Sequence, residues 1–309
     1  GVQTCALPIF LWSGLAAAVL LGIALWPKGP NLPRDPRART LFLEAEHLAE
    51  TWETPRELEA VEKYRQVTEI EPGFALAWAG LTNVEIALAP GQPSPVKALA
   101  DAEAHAREAL RLDDSLASAH AALGHCYWQQ WKWDEADQEF HKALAGAGDT
   151  ATSHQLYGLY LASVGRKQEA ISEARRAVEL APISGLMNYS LAQVYLQTGE
   201  FEQALTQSNK TLQMDRHYPS AFQTLLRANI QLGRLAEAER ALDEELRMFA
   251  DKALIPWQAY LLARAGRVEE ARVLFQAEGN RNRKNPHPSL GHAAALLAMD
   301  GPDAALAAL

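Results

Sequence analysis

The chain has 309 residues, and 38 acidic against 29 basic side chains leave it a formal net charge of -9. That balance lacks the clustered positive face that gripping nucleic acid requires. Its two cysteines, Cys5 and Cys126, are too few and too far apart for a disulfide framework or a zinc site.

Gly1–Ile9 read GVQTCALPI, which resembles the conceptual translation of a sequencing-library adapter, and no initiator methionine precedes them. Residues 1–9 are therefore expected to be an artefact, with the natural chain continuing upstream. Phe10 to Trp26 are 17 residues without a charge, about 25 Å as a helix, and the expected element at 10–26 is a transmembrane helix with Trp12 and Trp26 at its interfaces. A signal peptide is the rival reading, but no small-x-small cleavage site precedes Pro27. Lys28, Arg34, Arg37 and Arg39 follow, and by themselves they would place the rest of the chain in the cytoplasm. Pro27, Pro30, Pro33 and Pro36 recur at every third residue, the turn of polyproline II. Residues 27–39 thus read as a proline-rich spacer of up to about 40 Å.

From 40 to 309 a period governs the sequence. Alanine returns at 136, 170, 204, 238, 271 and 305, and glycine at 165, 199, 233, 266 and 301, both at intervals of 33 to 35 residues. Small side chains at that interval fit two antiparallel helices in close approach, with glycine at the tight turn between them. The expected fold is an all-α solenoid of about 7–8 helix pairs, which grows by addition and needs no second core. Ala60 and Tyr64 mark the first pair, Trp78 and Leu81 with Ala102 the second, and Leu123, Gly124, Tyr127, Ala136 and Phe140 the third. Gly158 and Ala170 mark the fourth, Leu191 and Ala204 the fifth, Phe222 and Ala238 the sixth, Ala259 and Ala271 the seventh, and a last pair opens near Pro288. Ala89–Pro95, with three prolines and a glycine, is expected to be a loop inserted between paired helices. Ala304–Leu309 is apolar throughout, whereas a solenoid's last helix needs a polar outer face. The C-terminus is therefore expected to be truncated or covered by a partner.

The period of about 34 residues resembles the tetratricopeptide repeat. Leu41–Leu81, with EPGFALAWAGL, resembles the opening repeats behind the membrane helix of bacterial CadC/ToxR-like winged-helix transcriptional regulators. The likeness continues through Trp131-Lys132-Trp133, Gly158-Leu159-Tyr160 and Pro288–Leu306. Similar arrays follow some membrane adenylate cyclases and serine/threonine kinases. The regulator resemblance implies a single-pass protein of the bacterial inner membrane, with a missing output domain upstream of Phe10 in the cytoplasm and the repeats in the periplasm as a sensory or docking surface. Signal would then pass through association of the arrays as a homo-oligomer. Two alternatives stay open: a cyclase or kinase in place of the winged helix, and a scaffold for a cell-envelope assembly with no output domain.

In tetratricopeptide arrays the first helix of each pair lines the concave surface. Carried onto this sequence, that implies a peptide-binding groove of His125, Trp128 and Gln129, then Gln155 and Leu159, then Tyr189, Gln193 and Gln197, then Gln223, Arg227 and Gln231. Such an amide-rich groove suits an extended peptide or a partner helix, although solvated inner-face residues would fall at the same places. Arg227 alone does not make a carboxylate clamp. His120, His125, Cys126 and His141 invite a metal reading, but neighbours on one helix point in different directions, so no metal and no cofactor is expected. Trp128, Trp131 and Trp133 read as packing across a turn, with an aromatic box as the alternative. Phosphate-loop, nucleophile-elbow and His-Glu-x-x-His patterns fail. Glu237, Glu239, Asp243, Glu244 and Glu245 read as a solvated helix face, and catalysis is not expected.

Overall fold

The computed structural model describes residues 32–49, 54–145, 150–249, 254–279 and 290–302. The expected adapter segment, the transmembrane helix at 10–26, the first part of the spacer and Ala304–Leu309 lie outside them. Among the described residues no helix is long and apolar enough to cross a membrane.

Fifteen α-helices and no strand are found among the described residues. They run as antiparallel pairs: α1 (Pro36–Ala49) with α2 (Thr54–Ile70), α3 (Ala75–Leu88) with α4 (Pro95–Leu112), and α5 (Ala117–Gln129) with α6 (Trp133–Leu144). Next come α7 (Ala151–Ser163) with α8 (Lys167–Leu180), α9 (Gly185–Gln197) with α10 (Phe201–Met214), and α11 (Pro219–Gln231) with α12 (Leu235–Phe249). The last are α13 (Ile255–Arg264) with α14 (Val268–Gly279), and α15 (Leu290–Asp300), which packs on α13. The first helices of successive pairs also pack on one another from α3 through α11.

Ala136, Ala170, Ala204, Ala238 and Ala271 are all fully buried. Gly158 shows why the contact residues are small: a Cβ there would stand 3.1 Å from Ala174 N and 3.2 Å from Ala170 O. At the turns, Gly165, Gly199, Gly233, Gly266 and Gly301 all have φ between +72° and +89°, the left-handed helix stop. The N–H three residues past the helix closes it, as where Arg166 N donates to Leu161 O at 2.9 Å. The α5–α6 turn closes the same way, Lys132 N donating to Tyr127 O at 2.9 Å, but Trp131 fills the glycine's place at φ +63°.

A polar contact between the two helices repeats with the same period. His120 Nδ1 lies 2.6 Å from Glu139 Oε2, His154 Nδ1 lies 2.5 Å from Glu173 Oε2, and Gln207 Nε2 donates to Asn188 Oδ1 at 2.6 Å. Around it, Phe140 packs on Tyr157 and Tyr160 with ring centres 5.4 and 5.3 Å away.

Two segments depart from expectation. Pro36 opens α1 instead of ending a spacer, because proline is excluded from a helix interior but suits its first position. Asp35 caps that start, its Oδ1 accepting from Arg37 N at 2.8 Å and Ala38 N at 3.0 Å. Glu71 Oε2 accepts from Arg34 N at 2.8 Å, which ties the segment to the first pair. In the insertion, Ala89–Gly91 form a 3-10 turn that extends α3, and Pro95 occupies the first turn of α4.

Candidate functional site

A cleft of about 290 Å³ runs across the inner side of the first five pairs. Glu46 and Ala49 of α1 and Glu57 and Tyr64 of α2 line one end, and Gly80, Asn83, Val84, Ile86 and Ala87 of α3 the middle, beside Pro90 of the insertion. His125 and Gln129 of α5, Thr152, Gln155 and Leu156 of α7, and Leu186 and Met187 of α9 complete it. A larger open hollow of about 960 Å³ lies between α12, α13 and α14. Arg267 there is paired with Glu270 at 2.6 Å, and none of the side chains lining this hollow carries a buried polar atom without a partner.

The cleft does concentrate such atoms. His125 is 8% exposed and Glu57 7%. The Nδ1 of His125 and the Oδ1 of Asn83 are buried with no hydrogen-bond partner, an arrangement that costs roughly 1–3 kcal/mol per group unless something fills it. Burial holds the His125 imidazole neutral, with its pKa pushed down to about 4. Burial also pushes the Glu57 carboxyl above the usual carboxylate range. The Glu46 carboxylate accepts from Tyr64 Oη at 2.5 Å. Gly80 lets the Tyr64 ring lie close against α3, since a Cβ there would stand 2.6 Å from that ring.

Of the eleven groove residues expected from sequence, the cleft gathers His125, Gln129 and Gln155. Gln155 is itself buried and donates to Ser190 Oγ at 2.9 Å, joining α7 to α9. Trp128 stacks beside His125 with ring centres 5.5 Å apart and, like Leu159, packs on the core. Tyr189 is buried against Tyr218 and receives a hydrogen bond from Gln193. Farther along, Gln223 donates to Glu245 Oε1 at 3.3 Å, and Gln197, Gln223 and Gln231 are exposed while Arg227 is half-buried.

The residues missed are Glu46, Glu57, Tyr64 and Asn83. Asn83 was within reach, because it precedes His125 by 42 residues, one repeat plus the eight of the insertion. Trp131 lies across the turn, edge-on to Trp133 at 5.4 Å, and stands 76% exposed. One other expectation changes. Glu245 is buried and not part of a solvated face. The histidines and cysteine are dispersed: His120 pairs with Glu139, His141 meets Tyr157 Oη at 3.2 Å, and Cys126 is buried, which pushes its thiol up. No group of three or more metal-binding side chains is found among the described residues.

Comparison with known proteins agrees with this architecture. Residues 151–184, the span of α7 and α8, match the tetratricopeptide repeat family. The type IV pilus assembly protein PilF of Pseudomonas aeruginosa is 34% identical over 116 residues, which are 37% of this chain and 46% of that protein. The chain thus aligns with under half the length of that relative. Among solved structures, PilW, titled a widely conserved type IV pilus biogenesis factor, is 20% identical with a TM-score of 0.54, over 70% of this chain and 98% of that one. The structure titled APC/C hetero-tetramer Cut9-Hcn1 is 14% identical with a TM-score of 0.60, over 93% of this chain and 52% of that one. At those identities they speak to fold alone. From the period of small residues and the paired helices, the described chain is an all-α solenoid of helix hairpins, of which residues 151–184 match the tetratricopeptide repeat.

Proposed function

We propose that this chain is an interaction scaffold that captures an extended peptide segment of a partner protein in the inner cleft, as part of a cell-envelope assembly. The carrying observation is the cleft itself, where Asn83 and His125 present buried polar atoms without partners among the apolar walls of Val84, Ile86, Leu156 and Met187. A peptide backbone supplies both donors and acceptors to such a surface. The envelope setting rests on the 34% identity with the PilF protein and on Phe10–Trp26, which we assign as the single-pass anchor in the bacterial inner membrane, with the repeats on the periplasmic side. The likeness of Leu41–Leu81 to regulators, and the cyclase and kinase alternatives, concern a domain upstream of Phe10. None of the relatives named above is a protein of those kinds.

The test is a library of labelled extended nonapeptides titrated against the whole chain and against Ala87→Trp, which fills the cleft. Binding is expected to be lost in Ala87→Trp and kept in Gln231→Ala, which lies far along the inner face. Peptides that bind both variants alike would place the interaction elsewhere.

A further inference from the structure

The cleft carries a sign. Its charged lining consists of Glu46 and Glu57, and neither lysine nor arginine lines it. Glu57 has no hydrogen-bond or ion-pair partner among the described residues although it is buried. A carboxylate held largely out of water without a counter-charge is costly, and a cation that comes to it lowers that cost. Asn83 Oδ1 adds a lone pair with nothing to accept from. His125, held neutral by its burial, brings no opposing charge.

Size and walls narrow the occupant. At about 290 Å³ the space falls at the lower end of small-molecule sites, which span about 300–1,000 Å³, and it suits one long side chain better than a folded element. Val84, Ile86, Leu156 and Met187 give the apolar surface along which the methylene stem of such a side chain lies while its charged head seeks oxygen.

We propose that the cleft recognises a basic side chain, lysine or arginine, presented by an extended peptide segment of a protein partner, with Glu57 as the counter-charge and Asn83 Oδ1 as an accepting oxygen. This rests on the peptide-capture reading above and adds the identity of the residue captured. The alternative occupant, a free small amine, is distinguished by the test.

Three nonapeptides identical except for a central lysine, norleucine or glutamate are titrated against the whole chain by fluorescence polarisation. The lysine peptide is expected to bind at least about tenfold more tightly than the norleucine peptide, equivalent to about 1.4 kcal/mol, and the glutamate peptide most weakly. Glu57→Gln is expected to cut the lysine preference to within about threefold while leaving norleucine binding unchanged. Equal binding of lysine and norleucine, or a preference that survives Glu57→Gln, overturns the charge assignment. If Ala87→Trp still abolishes binding of all three, the peptide-capture reading stands without it. If Ala87→Trp has no effect, that reading falls as well. n-Butylamine that competes as strongly as the lysine peptide overturns the peptide as occupant.

Discussion

Trp131 holds, 34 residues earlier, the position of Gly165, and both backbones are left-handed, at φ +63° and +80°. The side chain that glycine spares is here the bulkiest of the twenty, and it is exposed to solvent. A left-handed residue with a Cβ costs about 1–2 kcal/mol, partly offset by the freedom that glycine adds to the unfolded chain. Trp131→Gly is therefore expected to raise stability by about 0.5–1 kcal/mol in urea denaturation. A loss of stability would mean that the ring's contact with Trp133 outweighs the strain.

Close helix approach sets the second expectation. Ala204→Phe places a ring in a fully buried contact and should cost about 1–3 kcal/mol. Gly158→Ala should also destabilise, because its new methyl meets backbone atoms of α8 that cannot rotate away. Glu202→Ala removes an exposed ion pair with Arg234 and should leave the melting temperature nearly unchanged. Thermal denaturation of the three variants side by side separates register from surface.

The third concerns acid. The imidazole of His125 binds its proton only near pH 4 in the fold but near its ordinary value of about 6.5 when unfolded. The unfolded state therefore takes up the proton first, and stability that is complete above about pH 6.5 drains away as pH falls toward 4. Between pH 7 and 4.5 the wild type should lose about 2–3 kcal/mol more than His125→Gln, whose other ionisable groups cancel in the difference. Glu57 runs the opposite way. Its raised carboxyl pKa means that the stability carried by its proton is present at low pH and disappears as pH climbs through that raised value. Glu57→Gln should thus be more stable than the wild type at neutral pH, as denaturant midpoints would reveal.

The recurring interhelical contact offers a chemical swap. Since Asn188 and Gln207 stand where His154 and Glu173 stand one repeat earlier, the pair His154→Asn with Glu173→Gln should be better tolerated than the sum of the single changes. A double-mutant cycle should return a coupling of about 0.5–3 kcal/mol. A cycle that closes to zero would deny that the two positions act as a unit.

Much of this fold is legible in the sequence because the interhelical distance admits only alanine or glycine at one place per repeat. That constraint is local and recurs, so Ala136, Ala170 and Gly158 announce it without any knowledge of neighbours, as Gly165 and its repeats announce the left-handed turn. Trp131 shows the limit: where one turn accepts strain, the glycine signal vanishes and the turn persists. Pro36 shows another, since proline forbids the middle of a helix yet favours its start. The cleft was half visible. His125, Gln129 and Gln155 follow from the repeat register, whereas Glu46 and Glu57 reach the same space only because of how the first pair is oriented on the second, which no periodicity encodes. Trp128, Leu159 and Tyr189 share the inner register but spend their surface on neighbouring rings.

Glu46 and Glu57 belong to the first hairpin, and Leu186 and Met187 to the fifth, yet all four border one space. Its width is therefore governed by the bend of the whole rod between them and by no single hinge. A slight uncoiling shared among the intervening hairpins would part the walls while every hairpin kept its own packing. A ligand that touches both walls at once would favour the tighter coil, so that grip at one end and curvature along the length become a single mechanical variable.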